Sequence, residues 1–124
     1  MFLIFDTETT GLPKNYRAPI TDVDNWPRAV QIAWQLHDID GSLVEQKDFL
    51  IRPDGFNIPY ESEQIHGIST DLAKTEGVSL EEVCIAFNEA IAKASFIVGQ
   101  NIDFDINIMA VSYTHLTLPT IYSV

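Results

Sequence analysis

The stretch from Phe2 to Leu12 reads FLIFDTETTGL and combines an apolar strand pattern with the first pair of carboxylates in the chain. Phe2 to Phe5 is a short, continuous apolar run, which is typical of a buried strand. The polar residues that follow it, with a glycine and a proline near their end, predict a turn. Asp6 and Glu8 are two residues apart, and side chains at that spacing in extended backbone project from one face. We therefore expect the chemistry to lie where this strand ends.

Further strands are predicted downstream by alternation and by turn residues. Residues 30–37 alternate apolar and polar side chains, which is the period of a strand with one buried face. Asp40 and Gly41 then give a hairpin signal, and residues 44–52 form a plausible return strand. Residues 14–27 have no period and predict a surface loop. The first half of the chain is thus expected to form an antiparallel meander.

The strongest helix signal begins at Ser79, where SLEE has the pattern of a capping box. Apolar residues then recur at helical spacing on one face, and these are Leu80, Val83, Cys84, Phe87, Ile91 and Ala94. Shorter helices are predicted from Pro59 through Ile65 and from Ser69 or Thr70 to Gly77. Another helix begins near Phe104 and extends to about Ala110. The order of elements favours an α/β architecture in which a helical crossover follows the meander.

A second apolar strand, at residues 96–99, precedes another carboxylate, Asp105. If it pairs in parallel with the first strand, both strands open at one edge of the sheet, where ligands favour binding. Asp6, Glu8 and Asp105 would then surround one spot. Carboxylate oxygens suit Mg²⁺ or Mn²⁺, and two such ions about 3.5–4 Å apart can activate water and stabilise the leaving oxygen of a phosphodiester. The alternative is that Asp6 begins a turn and Asp105 caps a helix.

Two segments, FDTETTGL at residues 5–12 and GQNIDFD at residues 99–105, resemble the first and second motifs of the DEDD (DnaQ-like) 3′–5′ exonucleases. This family includes the proofreading epsilon subunit of bacterial DNA polymerase III. The resemblance covers roughly residues 1 to 110. It implies a ribonuclease H-like fold with a mixed central sheet, incomplete at the C-terminus. It also implies a hydrolase that removes nucleotides from the 3′ end of single-stranded DNA or RNA, with a DNA polymerase subunit as one candidate partner.

The resemblance also implies roles for individual residues. Asp6, Glu8 and Asp105 would be the catalytic metal ligands for two Mg²⁺ or Mn²⁺ ions, whereas Asp103 would have no role. The terminal nucleotide would be held by residues from both motifs and by a histidine in an IHGI segment, namely Thr7, Thr9, Thr10, Gly11, Leu12, His66 and Phe104. Without the resemblance, His66 is better interpreted as a helix-end residue whose imidazole meets the last carbonyl groups.

Composition narrows the class of protein. The 124 residues suit one domain, and 46% hydrophobic residues provide a core. The formal charge of -11 argues against binding nucleic acid through a broad basic surface. Bound metal ions can instead supply the positive charge that contacts phosphate. No apolar run is long enough to cross a membrane, and the single Cys84, expected in the core, excludes an internal disulfide. We expect a cytoplasmic protein without a membrane partner.

The last residues lack a motif that the family requires, and their composition differs from that of the rest of the chain. The family requires a fourth aspartate, preceded by a histidine or tyrosine that acts as general base, but no Asp or Glu follows Asp105. Residues 112–124 carry no Asp, Glu, Lys or Arg and resemble the translation of a sequencing adaptor. We therefore expect a native exonuclease segment at 1–110 and a non-native tail at 111–124. The fragment is expected to be inactive or impaired.

Two other functions remain open from the sequence. One is a non-catalytic module that keeps the fold and binds nucleic acid or protein. The other is a fragment without function. The choice between DNA and RNA is also open, because it depends on contacts to the 2′ position of the sugar.

Overall fold

A computed structural model of the chain describes residues 1–116. Its four strands form one mixed sheet in the order β3-β2-β1-β4. β1 pairs antiparallel with β2 and parallel with β4, so the predicted meander and helical crossover are both present. In chain order, the elements are β1 (Phe2–Thr9), β2 (Ala29–His37), β3 (Leu43–Leu50), α1 (Tyr60–His66), α2 (Thr70–Glu76), α3 (Leu80–Lys93), β4 (Phe96–Val98) and α4 (Ile102–His115).

Strand β1 is longer than the sequence predicted. The segment after Phe5 was expected to turn, but the strand pairs with β2 as far as Thr9, which faces Ala29 after a bulge. The alternative in which Asp6 begins a turn is therefore wrong. The prediction that Asp6 and Glu8 share a face holds, because both alternate with the buried side chain of Thr7.

Strand β4 lies at the edge of the described sheet rather than in its centre. Its three residues pair with Phe2, Leu3 and Ile4 of β1, and no strand within residues 1–116 pairs with its other side. Phe96 and Val98 lie on the face away from the main core, on which Ile97 packs, and are 69% and 48% exposed. The parallel pairing with β1 is as predicted, and it carries the chain to the carboxyl end of β1.

The main core lies between the sheet and the helices α3 and α4. Phe87 of α3 is almost fully buried, with its ring centroid 4.9 Å from that of Phe5 and 5.5 Å from that of Trp34. The predicted N-terminal cap of α3 is present, since the Ser79 side chain accepts a hydrogen bond from the amide of Glu82. Cys84 is a fully buried core residue, as expected.

A second, smaller core around Val30 contains Ala73 of α2 and two residues that flank α1, Ile58 and Ile68. The Ser69 side chain caps α2 by accepting a hydrogen bond from Leu72 N, which decides between the two predicted caps. α1 ends at Gly67, whose φ of 76° is a left-handed conformation that favours glycine. Both helices follow the predicted boundaries closely. No helix within the described part of the chain is long and apolar enough to cross a membrane.

Helix α4 runs through the predicted boundary between Ala110 and Val111 without a break and ends at His115. Val111 and Tyr113 are buried in the main core. The rest of the predicted tail, residues 117–124, lies outside the described residues. Whether residues after Ala110 are native stays a prediction, because packing does not reveal the origin of a sequence.

Candidate active site

Asp105 in the first turn of α4 is held against strand β1 by two hydrogen bonds. Its Oδ1 accepts one from the hydroxyl of Thr7 at 2.5 Å and one from the amide nitrogen of Thr7 at 3.3 Å. That amide is free of sheet pairing on this side because the ladder between β1 and β4 ends at Ile4 and Val98. The carboxylate of Asp105 thus occupies the place that a longer β4 would take. Asp105 is 4% exposed.

A tight connection between β4 and α4 directs the helix toward β1. A Cβ atom at Gly99 would lie 2.8 Å from Cδ1 of Ile102 and 3.3 Å from the carbonyl oxygen of Phe5, so a larger residue would displace the Ile102 side chain and crowd that carbonyl group. Asn101, which precedes the helix, has φ of 52° in the left-handed region that asparagine tolerates better than most residues. Asn101 is therefore the N-cap residue, and the alternative in which Asp105 caps the helix is wrong.

A cleft of about 420 Å³ opens at this edge of the sheet. Asp6 from β1 and Asp105 from α4 both line it, so the structure brings together two of the three predicted ligands. The remaining lining comes from β1, from the connection after β4 and from the start of α4, and consists of Ile4, Phe5, Thr7, Gly99, Gln100, Asn101 and Phe104. The predicted residue Phe104 thus belongs to the same cleft.

The charges around Asp105 are coupled. Burial raises the pKa of the Asp105 carboxyl group, and the hydrogen bond from the Thr7 hydroxyl opposes that rise. The negative charges of Asp6 and, more weakly, Glu8 raise the pKa of Asp105 further. Asp6 and Glu8 therefore both lie within electrostatic range of Asp105. A divalent cation among them would relieve this repulsion.

The site contains the oxygen donors that a hard divalent cation prefers, but its side chains are not positioned to hold one. As the side chains stand in residues 1–116, no group of three His, Cys, Asp or Glu residues is placed to hold a metal ion. Asp6 and Glu8 leave β1 on the face opposite Thr7, whereas Asp105 directs Oδ1 to Thr7. Oxygen donors for Mg²⁺ or Mn²⁺ are thus present, but the carboxylate of Asp105 is engaged within the protein.

The turn after β1, predicted to hold a nucleotide, is fixed by bonds from two other parts of the chain. The amide of Thr10 donates to the carbonyl oxygen of Arg28, and the Arg28 amide donates to the Thr10 hydroxyl, both at 2.9 Å. Ser62 of α1 donates its hydroxyl to the carbonyl oxygen of Thr10 at 2.7 Å. The Thr9 hydroxyl donates to the carbonyl oxygen of Gly11. The polar groups of Thr10 are therefore satisfied internally.

At the end of the turn, the Leu12 side chain is 73% exposed, which leaves it free to contact a base. Glu8 is half-buried and is absent from the cleft lining. Thr7 has a contact that the sequence did not predict, because its hydroxyl serves Asp105. The sequence also gave no signal for Ser62 and Arg28 as anchors of the turn, since neither belongs to a motif.

His66 is the last residue of α1 and does not line the cleft. Its Nδ1 accepts a hydrogen bond from the amide of Ile68 at 3.1 Å, so the neutral ring carries its proton on Nε2. The expectation that the imidazole meets the last helical carbonyls is therefore wrong, because the bond is to an amide beyond the helix. Nε2 is buried and has no partner within the described residues. α1 contacts the turn after β1 through Ser62 rather than through His66.

Comparison with known proteins identifies the family of the chain. A family model described as an exonuclease, RNase_T, matches residues 3–116. The chain therefore belongs to this exonuclease family, in the DEDD superfamily, whose members generally use divalent metal ions. A comparison with curated proteins found no match. The particular similarity to the proofreading epsilon subunit stays a prediction.

Solved structures of exonuclease I share the fold. Escherichia coli exonuclease I in complex with a dT13 oligonucleotide superposes with a TM-score of 0.71 at 21% identity, covering 90% of this chain and 23% of that chain. Exonuclease I from Methylocaldum szegediense gives a TM-score of 0.70 at 21% identity, covering 86% of this chain and 22% of that chain. This chain thus spans about a quarter of the length of these enzymes or less. The ribonuclease H-like fold is confirmed.

Proposed function

We propose that this chain carries the site of a metal-dependent 3′–5′ exonuclease, which hydrolyses phosphodiester bonds at the 3′ end of a nucleic acid strand. The observation that carries the proposal is the cleft shared by Asp6 and Asp105 where β1 and β4 end. The match to the exonuclease family supports the reaction class. A cytoplasmic location belongs to the same proposal, because the one cysteine of the sequence, Cys84, is free and buried.

Asp6, Glu8 and Asp105 would hold two Mg²⁺ or Mn²⁺ ions. When bound, such ions supply positive charge for the phosphate and activate the attacking water. Thr7 is a positioning residue in this scheme, because its hydroxyl fixes the carboxylate of Asp105. The residues of the turn, Thr9, Thr10, Gly11 and Leu12, would support the terminal nucleotide, with Leu12 against its base and Phe104 packing at the 3′ end.

The substrate is expected to be single-stranded. The related exonuclease I structures include complexes with dT13 and dA16 oligonucleotides, which supports this class of ligand by analogy of fold. An extended strand can enter an open cleft of this size one nucleotide at a time, whereas a duplex must first be unpaired. A DNA polymerase subunit remains a candidate partner by resemblance to the proofreading epsilon subunit.

A non-catalytic nucleic-acid-binding or interaction module is the second candidate. Two observations favour it. The carboxylate of Asp105 is engaged by Thr7 rather than directed to Asp6 and Glu8, and no acidic residue follows Asp105 in the sequence. Such a module would bind a single strand without cleaving it, and binding would be unaffected by Glu8→Gln.

The two candidates are separated by hydrolysis of a single strand that carries a fluorescent label at its 3′ end. With Mg²⁺ or Mn²⁺, the 124-residue chain is expected to release the label as a mononucleotide, and excess chelator should stop the release. The missing general base predicts a rate lower by about 10²–10⁴ than that of a complete enzyme of the family. Release of a label from the 5′ end before one from the 3′ end, or release that continues in excess chelator, contradicts the proposed 3′–5′ exonuclease.

A matched pair of variants tests the assigned carboxylate. Asp105→Asn is expected to abolish release and to weaken Mn²⁺ binding measured by calorimetry. Asp103→Asn removes the same charge from an exposed position two residues earlier and should leave both unchanged. Binding of the strand without any hydrolysis, insensitive to Glu8→Gln, would favour the interaction module.

We also propose that the native protein departs from this sequence after Ala110. The support is the uncharged stretch at residues 112–124 in an otherwise acidic chain and the absence of the fourth carboxylate. Sequencing the genomic locus tests this directly. An unbroken native frame that encodes the same residues 111–124 would disprove it.

A further inference from the structure

We propose that the exposed segment from Lys14 to Arg17, here called the Lys14–Arg17 segment, binds the single strand that enters the cleft. Tyr16 stacks on a base, and Lys14 and Arg17 contact the phosphates on either side of it. This inference rests on the proposed function, because it extends the substrate site from the cleft onto the neighbouring loop. None of these three residues belongs to either motif.

The ring of Tyr16 lies at the mouth of the cleft. Its centroid is 6.4 Å from that of Phe104, with 47° between the ring planes, and Phe104 lines the cleft beside Asp105. Tyr16 is nevertheless 55% exposed, so most of its ring faces solvent. Two aromatic rings in contact, one at the cleft and one outside it, offer stacking surfaces to successive bases of a strand.

Hydrogen bonds hold the backbone of the loop on both sides of Tyr16 before any ligand binds. Asn25 is 7% exposed, and its side chain accepts from the amide of Asn15 at 2.7 Å and donates to the carbonyl oxygen of Asn15 at 2.9 Å. Further along, the buried Trp26 donates its Nε1 proton to the carbonyl oxygen of Pro19. Binding to a preorganised loop loses less entropy than binding to a flexible one.

The charge of the segment is opposite to that of the chain. The protein has 7 basic and 18 acidic residues, yet Lys14 and Arg17 lie within three positions of each other and flank Tyr16. Both are exposed, and neither forms an ion pair within residues 1–116. Two free cations around an exposed aromatic ring match the sugar-phosphate backbone and bases of a single strand. An acidic peptide would use the cations but would not need the ring beside Phe104.

Affinity for a fluorescein-labelled oligothymidylate, measured by anisotropy in excess chelator, tests the ring. Tyr16→Ala is expected to weaken binding about tenfold, whereas Tyr16→Phe retains the affinity because stacking needs only the ring. Phe96→Ala is the control, since Phe96 is an exposed aromatic residue at the opposite end of the sheet. Equal affinity of Tyr16→Ala and wild type, or no binding by the wild type, overturns the inference.

The dependence of affinity on salt tests the cations. The double variant Lys14→Gln/Arg17→Gln should reduce the slope of log Kd against log salt by about 1.4, at about 0.7 for each lost phosphate contact. Lys74→Gln, at an exposed position in α2, should leave the slope unchanged. An unchanged slope in the double variant contradicts the phosphate contacts.

The inference and the proposed function fail in different ways. If the wild type hydrolyses the strand and Tyr16→Ala binds the strand as tightly as the wild type, the inference is disproved and the proposed exonuclease function stands. Binding that depends on Tyr16, without hydrolysis under any metal condition, disproves the exonuclease for this chain and supports the inference. A 2-aminopurine base in the strand gives an independent readout, because its fluorescence should be quenched by wild type and not by Tyr16→Ala.

Discussion

The hydroxyl of Thr7 donates a hydrogen bond to Oδ1 of Asp105, which joins the two motifs of the site across 98 residues of sequence. The bond lies on the buried face of β1, whereas Asp6 leaves the strand on the other face and reaches the cleft from outside. The site is therefore built around the edge of a strand. One carboxylate is fixed by the core and another is open to solvent.

Thr7→Val tests how much this bond contributes to stability. Valine keeps the β-branched shape but removes the hydroxyl, which leaves a buried carboxylate with only the weaker bond from the amide. We expect the free energy of unfolding to fall by about 1–3 kcal/mol. Thr7→Ser is the control, because it retains the hydroxyl and should recover most of the loss in urea denaturation. Equal stability of wild type and Thr7→Val would show that the bond is absent in solution.

The pH dependence of stability should carry a contribution from Glu45. Trp34 Nε1 donates a hydrogen bond to Glu45 Oε2 at 2.9 Å, and this bond is the main cause of a lowered pKa of the Glu45 carboxyl group. The charge of Lys93 lowers that pKa further, whereas partial burial opposes the shift. A carboxyl group with a lowered pKa in the folded state stabilises the fold above its ordinary pKa. That contribution is lost as the pH falls through the lowered value.

Glu45→Gln is accordingly expected to be less stable than wild type at neutral pH, with a difference that shrinks as the pH falls below about 4. The measurement is the urea midpoint at a series of pH values. Glu89→Gln, an exposed position in the middle of α3, provides the control for a lost negative charge. A difference between Glu45→Gln and wild type that grows toward acid pH would have the wrong sign.

Local sequence patterns predicted most of the fold because each pattern had one physical explanation. Alternation in β2, the Asp40-Gly41 hairpin and the Ser79 cap all specify backbone conformation within a few residues. The length of β1 and the edge position of β4 were missed. Both depend on pairing between distant strands, which a local period does not encode.

The candidate site was predictable in part for the same reason. The motifs supplied Asp6, Glu8, Phe104 and Asp105, and the parallel pairing that brings Asp6 and Asp105 to one cleft was inferred from chain order. The partner of Asp105 was not predictable. Thr7 makes that contact only because β4 stops after three residues and leaves the edge of β1 open to α4.

Cys84 should be inert to alkylation in the folded protein. Burial raises the pKa of its thiol to about 12, so almost no thiolate exists at pH 8. We expect iodoacetamide to modify the native chain at least about a hundredfold more slowly than the chain unfolded in guanidinium. Mass spectrometry of intact protein over time gives both rates. Rapid modification without denaturant would mean that α3 opens frequently.

Phe87→Ala tests the packing that holds α3 to the sheet. The ring of Phe87 contacts both Phe5 and Trp34, so truncation leaves a cavity between helix and sheet. We expect a loss of about 3–5 kcal/mol in the free energy of unfolding. Ile85→Ala, at a position that is 47% exposed on the same helix, should cost far less. Comparable losses in the two variants would place the packed face of α3 elsewhere.

Tyr113→Phe measures whether residues after the predicted boundary at Ala110 contribute to the fold. The Tyr113 hydroxyl lies 2.8 Å from the carbonyl oxygen of Cys84 and 2.6 Å from Oδ1 of Asn88, so it links α4 to α3. Removing the hydroxyl should cost about 0.5–1.5 kcal/mol in thermal or urea denaturation. Thr114→Ala changes the adjacent exposed residue and should have little effect. A stability equal to wild type for Tyr113→Phe would indicate that this last turn of α4 does not pack on α3, whatever the origin of its sequence.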